Sequence, residues 1–165
     1  MIEIEKLSEL ELKRVEKLAQ LTWPSTFKNI LSQEQIAYML AWMYNLETLE
    51  KQLNAGHQFY ILKENNIDLG FIGIELNYQN TRKLRIHKIY VVPKAQGKGV
   101  GKMLINHILE HVALINNQTH LHLNVNKYNA AVHFYKHIGF KTTKEEDIAI
   151  GNGFFMNDFV MEKLL

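Results

Sequence analysis

The stretch VVPKAQGKGVGKML, Val91 to Leu104, decides the reading of this chain. Gly97, Gly99 and Gly101 alternate with Lys98 and Val100, and an apolar run at helical spacing begins at once. The residues before it, LRIHKIYVV, read as a strand that Pro93 stops. A strand, a glycine-rich turn and a helix opening on bare amides together make a seat for a phosphate group. Glycine leaves successive N–H groups unscreened, and the helix start carries a partial positive charge. Two phosphate motifs do not fit. Walker A would need a glycine at Gln96 and a hydroxyl at Met103. In the dinucleotide fingerprint the third glycine would have to come one residue later than Gly101. The bland alternative is a strand-to-helix turn that happens to be rich in glycine.

Outward from this loop the pattern alternates between helical and extended periods. Toward the N-terminus, residues 2 to 5 suit a short strand. SELELKRVEKLAQLTW follows, with Glu11 at capping-box distance from Ser8 and a stripe of Leu7, Leu10, Leu12, Val15, Leu18 and Leu21; Pro24 is expected to close this helix. Ser32 caps a second helix, and NLETLEKQLN is a third, broken from it near Asn45. HQFYILKEN and IDLGFIGIELNYQ are strands around a polar turn. Beyond the loop, Gly99 to Ile115 is an amphipathic helix, HLHLNV a strand, and NAAVHFYKHI a short helix ended by Gly139. FKTTKE is a short strand and FFMNDFVMEKLL the last one. The order is α+β with a mixed sheet, and the 165 residues are expected to form one domain, 1–165.

Composition excludes several classes. A net charge of +2 with no basic run or basic–aromatic stripe argues against a nucleic-acid partner. No apolar run approaches the roughly 20 residues of a membrane span, and the charged N-terminal stretch lacks the apolar core of a signal peptide. With no cysteine there is no disulfide framework and no thiolate metal site, which suits a cytoplasmic protein.

Gln96, Gly99 and Gly101 also fill the pattern [QR]-x-x-G-x-[GA], with Leu104 next on the helix. A second segment, NKYNAAVHFYKHIGF from Asn126 to Phe140, carries Asn129, Ala131, Tyr135, Gly139 and Phe140 in the order N-x-A-x-x-x-Y-x-x-x-G-F. Together these segments resemble the GNAT family of acyl-CoA-dependent N-acetyltransferases, and in less specific features its bacterial polyamine-acetyltransferase-like branch. The resemblance implies a mixed central sheet of about six or seven strands with flanking helices, and acetyl-CoA as cosubstrate. It implies that Gln96, Gly97, Lys98, Gly99, Val100, Gly101 and Lys102 hold the pyrophosphate. Tyr90, Val91 and Val92 would pair with pantetheine and polarise the thioester carbonyl. Asn129 would touch the cofactor, although Asn126 is equally placed because the spacing to Tyr135 is one residue short. Tyr135 would protonate the departing thiolate.

Many members carry a glutamate on the strand before the loop as general base. Here the comparable position is His87, between Arg85 and Lys88, and no acid lies from Lys83 to Val92. A histidine suits proton removal near neutral pH, and a partly buried strand histidine is the alternative. The implied partner is a small-molecule amine, and a homodimer is compatible with the family. Trp23, Phe27, Trp42, Met43, Tyr44 and Phe154 are candidate walls of the acceptor pocket, with Glu145, Glu146, Asp147 and Asp158 as nearby acids. A protein N-terminus as acceptor, and a CoA-binding sensor without turnover, stay open as alternatives. The paired histidines His107 and His111, His133 and His137, and His120 and His122 lack a third ligand in the sequence, so no metal is expected.

Overall fold

The computed structural model describes residues 1–165. Seven strands form one sheet in the order β1-β2-β3-β4-β5-β7-β6. The strands are β1 (Ile2–Lys6), β2 (Gln58–Glu64), β3 (Ile67–Glu75), β4 (Lys83–Val91), β5 (His120–Asn126), β6 (Lys141–Gly151) and β7 (Phe154–Leu164). All neighbours are antiparallel except β4 and β5. The parallel pair needs a crossover, and α4 (Val100–Ile108) supplies it. Helices α1 (Lys13–Thr26), α2 (Gln33–Met43) and α3 (Leu46–Asn54) lie between β1 and β2, and α5 (Ala131–His137) between β5 and β6. No helix is long and apolar enough to cross a membrane.

The N-terminal expectation needs two corrections. Pro24 does not close α1, which runs on to Thr26. A proline forfeits the bond to the fourth carbonyl before it, and in the last turn that loss is small enough for the helix to continue. Leu10 and Leu21 point to solvent, whereas Leu7, Leu12, Val15 and Leu18 are buried. Ser8 and Glu11 do form a capping box, but it closes a single 3-10 turn, Glu9–Glu11, ahead of α1, and this turn shifts the helical phase. The break at Asn45 is as expected: its side-chain oxygen accepts the Thr48 N–H at 2.8 Å and starts α3.

At the C-terminal end β6 is longer than expected, reaching Gly151. Asn152 and Gly153, both at positive φ, turn it into β7 as a two-residue hairpin. This hairpin is tied back to α2. Gln35 Nε2 donates to the Phe155 carbonyl at 2.7 Å, and the Tyr38 hydroxyl to the Ile150 carbonyl at 2.9 Å. The helical third and the last hairpin therefore face each other across one side of the sheet.

Candidate active site

Strands β4 and β5 pair only from Lys83 opposite His120 to Ile86 opposite Leu123. Beyond that point β4 stays on β3 as far as Val91, and β5 stays on β7 as far as Asn126. The two parallel strands thus part, and a cavity of about 850 Å³ opens at the parting. A bulge in β4 marks the place, with Ile74 opposite Ile86 and Gly73 opposite Lys88. His87 is the extra residue. The bulge puts Arg85, opposite Glu75, and Lys88, opposite Gly73, on the same face of the sheet.

At one end of the cavity lies the glycine loop. Gly97 and Gly99 sit at φ +79° and +81°, where any other residue would be strained. The amides of Gly97, Gly99, Val100, Gly101 and Lys102 donate to no backbone carbonyl. Five free donors in one turn at the start of α4 form a cradle for an anion. Gln96 Nε2 donates to the Val91 carbonyl at 3.3 Å and ties the loop to the end of β4. Lys102 lines the cavity; Lys98 does not, and lies beside Lys94 on the outer side of the loop. Val92 also lies outside. It is buried, and its N–H donates to the Leu69 carbonyl at 2.8 Å, so this amide is committed to β3. Tyr90, Val91, Gln96, Gly97, Gly99, Val100, Gly101, Lys102, Asn129, Tyr135 and His87 all line this one cavity.

Tyr135 projects from α5 between Phe134 and Phe140, and burial pushes its phenol well above the ordinary value. Its hydroxyl stays protonated and available as a donor. Asn126 and Asn129 both line the cavity. The Asn126 side-chain oxygen accepts the Tyr128 N–H at 3.0 Å, and the Asn129 oxygen accepts the Ala131 N–H at 2.9 Å. Asn129 therefore braces the turn that leads into α5, and its amide nitrogen donates to no protein group.

The other end of the cavity is walled by Trp23, Phe27, Trp42 and Met43. Tyr44 lies beneath them, 1% exposed in the core, and Phe154 packs on Tyr38 outside the cavity. Of the four acids named from the sequence only Asp158 lines the space. Glu145 and Asp147 hold Lys127 on the surface, and Glu146 holds Lys144.

On β4 the sequence leaves a contact unseen. His87 Nε2 lies 2.9 Å from Glu75 Oε1, and His57 Nε2 lies 3.4 Å from the same oxygen. The two imidazoles stack at 4.4 Å. Burial, then Arg85, pushes His87 far below the ordinary histidine value, and burial with Lys88 takes His57 down to about 4. Both rings are neutral at pH 7. A carboxylate only accepts, so His87 donates from Nε2 and Nδ1 carries the lone pair. His57, Glu75 and His87 place ligand atoms within 4.8 Å of one another. The cations Arg85 and Lys88 beside them oppose a bound metal ion. Antiparallel pairing of β2, β3 and β4 creates this trio from distant segments, and no local motif announces it.

A parallel strand pair that opens beside a cradle of free amides suits an extended cofactor that carries a phosphate group. The chain belongs to the GNAT acetyltransferase family, whose acetyltransferase (GNAT) domain matches residues 27–163. It is 26% identical to a spermidine N(1)-acetyltransferase of Thermoplasma acidophilum, over 98% of this chain and 96% of that one. Its structure is similar to that of the PaiA N-acetyltransferase from Thermoplasma acidophilum in complex with coenzyme A, with a TM-score of 0.82 and 27% identity over 100% of this chain and 99% of that one. A GCN5-related N-acetyltransferase from Rhodopseudomonas palustris shares the fold at a TM-score of 0.83 with 18% identity, over 99% of this chain and 95% of that one. The protein is an acetyl-CoA-dependent acetyltransferase.

Proposed function

We propose that the protein transfers the acetyl group of acetyl-CoA to the primary amine of a small molecule by direct attack. The parting of β4 and β5 beside five unpartnered amides carries this reading. The amides of Gly97 and Gly99 to Lys102 receive the pyrophosphate, with Lys102 adding charge. Backbone groups of Tyr90 and Val91 hold the pantetheine arm, and an N–H on this stretch polarises the thioester carbonyl, a contribution of a few kcal/mol in such sites. Asn129 contacts the arm through its free amide nitrogen. Tyr135 gives its proton to the departing sulfur. His87, through Nδ1, takes the proton from the attacking nitrogen directly or through water.

The likeness to a spermidine acetyltransferase supports a small amine as acceptor and puts spermidine on the panel to be tried. The test is acetyl-CoA with a panel of amines, following free CoA with a thiol reagent. The chain has no cysteine to interfere. Amine-dependent CoA release supports the reading. Tight CoA binding with no release on any amine would make the protein a CoA sensor.

A further inference from the structure

Lys88 is the least explained charge in the molecule. It is 4% exposed, it is among the residues that line the cavity, and no carboxylate forms an ion pair with it. Its Nζ lies 5.2 Å from the centre of the Tyr44 ring. That cation–π contact offsets only part of the cost of taking an ammonium out of water.

The neighbouring acids do not pair with it. Glu75, on the same face, is held by His57 and His87. Asp158 and Glu146 both feel the charge of Arg85, and neither forms an ion pair with Lys88. Arg85 itself meets Tyr78 and His122 and forms no ion pair with a carboxylate. The charge that Lys88 does feel is Arg85, of the same sign. Arg85 and Lys88, on one face of β4, thus line one cavity whose single lining carboxylate, Asp158, acts on Arg85 and forms no ion pair with Lys88.

A buried cation without a partner is ordinarily eliminated or paired. This one is kept at the place where the acceptor must enter. We infer that the acceptor carries an anionic group, a carboxylate or a phosphate, as well as its amine, and that Lys88, supported by Arg85, receives that group. The inference rests on the amine-acetyltransferase reading above and narrows its substrate class. Spermidine, which has only cationic groups, would meet like charge at Lys88.

Matched pairs of acceptors test it: L-lysine against cadaverine, L-tyrosine against tyramine, and O-phosphoethanolamine against ethanolamine, with spermidine alongside. The carboxylate pairs and the phosphate pair separate the two sources of negative charge. In at least one pair the anionic member should have a kcat/KM at least tenfold above that of its partner. Lys88→Met should reduce that ratio to near one, mainly through KM. Lys88→Arg should keep part of it, and thermal melts show that both variants are folded.

Calorimetry of the anionic amines on the CoA-saturated protein gives a readout that does not need turnover. Binding that Lys88→Met abolishes supports the anion site even if no amine is acetylated, in which case only the transfer reading falls. Preference for spermidine or cadaverine, unchanged in Lys88→Met, would overturn the anion site and leave amine acetylation standing. Failure of every anionic probe to bind would overturn it as well.

Discussion

His87 Nε2 meets Glu75 Oε1 at 2.9 Å, and this contact fixes which nitrogen of the ring can act as a base. With Nε2 carrying the hydrogen, Nδ1 is the free lone pair. The ring is also buried and sits beside Arg85, so it stays neutral well below the ordinary histidine range. It is therefore ready to accept a proton at every working pH, but it is a weak base. The rate profile between pH 5 and 8 should show no inflection near 6.5, and deprotonation of the amine itself should set the rising limb. Glu75→Gln should lower turnover by about three- to thirtyfold by loosening the ring, with CoA affinity retained, and a chelator should change neither protein. An inflection near 6.5 that vanishes in His87→Ala would place the imidazole in water instead.

Burial of His57 makes a separate statement about stability. Its folded value, about 4, lies below the unfolded 6.5, so between these values the unfolded chain binds more protons than the folded one. Stability should fall as the pH drops through this window, and His87 acts in the same direction. The lowered carboxylates Glu5, Glu11, Glu146 and Glu162 act only below about 4.5. Melting temperatures from pH 7 to 5 isolate the histidines, and His57→Gln should flatten the slope. A wild-type Tm that does not move over that range would contradict the buried neutral ring.

Gly99→Val tests the cradle. Gly99 has φ +81° and nothing within 4 Å of an added Cβ, so the substitution strains the backbone without striking the protein. The strain alone costs on the order of 1–2 kcal/mol of stability. The larger effect should be on CoA, whose affinity should fall at least thirtyfold by calorimetry as the amides turn away. A folded variant with wild-type CoA affinity would remove the loop from phosphate binding.

Much of this site was legible in the sequence because its parts are local. Gln96 to Lys102 and Asn129 to Tyr135 each lie on one turn and the helix that follows, so spacing alone brings them together. Val92 and Lys98 share these stretches but lie outside the cavity. A one-residue step along a strand end sends Val92 N–H to Leu69, and one along the loop sends Lys98 outward. The charge of the acceptor end was not legible. It depends on the β4 bulge at His87, which sets Arg85 and Lys88 on one face, and on the pairing that delivers Glu75 and His57. The Asn152–Gly153 pair is a local hairpin signal, and it accounts for the full length of β6.

Tyr135→Phe separates acid catalysis from packing. The ring stays between Phe134 and Phe140, so folding and CoA affinity should hold. If the hydroxyl protonates the leaving sulfur, kcat should fall by roughly ten- to a thousandfold while KM for acetyl-CoA stays near its original value. Steady-state kinetics with the best amine of the panel decides it, and wild-type turnover would leave Tyr135 as a packing residue alone.

Lys88 should also reveal itself as a site where stability is given up. Burial, then Arg85, takes its ammonium from 10.5 to about 8. In the folded state the charged form is disfavoured, so the cost is present in full below pH 8 and is relieved as the pH rises toward the unfolded value. Conversion of that shift gives an upper bound of about 3 kcal/mol. Lys88→Met keeps the apolar stem against Tyr44 and removes the charge, so its Tm at pH 7 should exceed wild type by several degrees. The gap should close between pH 8 and 10. The groups that face Lys88 do not titrate in a way that imitates this. His57 and His87 are already neutral, and burial holds Tyr44 and Tyr90 protonated. Burial pushes Asp158, on β7, above the ordinary carboxylate value. The same ionisation governs the acceptor: KM for an anionic amine should rise as the pH passes 8, because the cation that receives it is lost. A Lys88→Met protein less stable than wild type at pH 7, or a gap that does not change with pH, would mean that the ammonium finds compensation within the fold and needs no anion from outside.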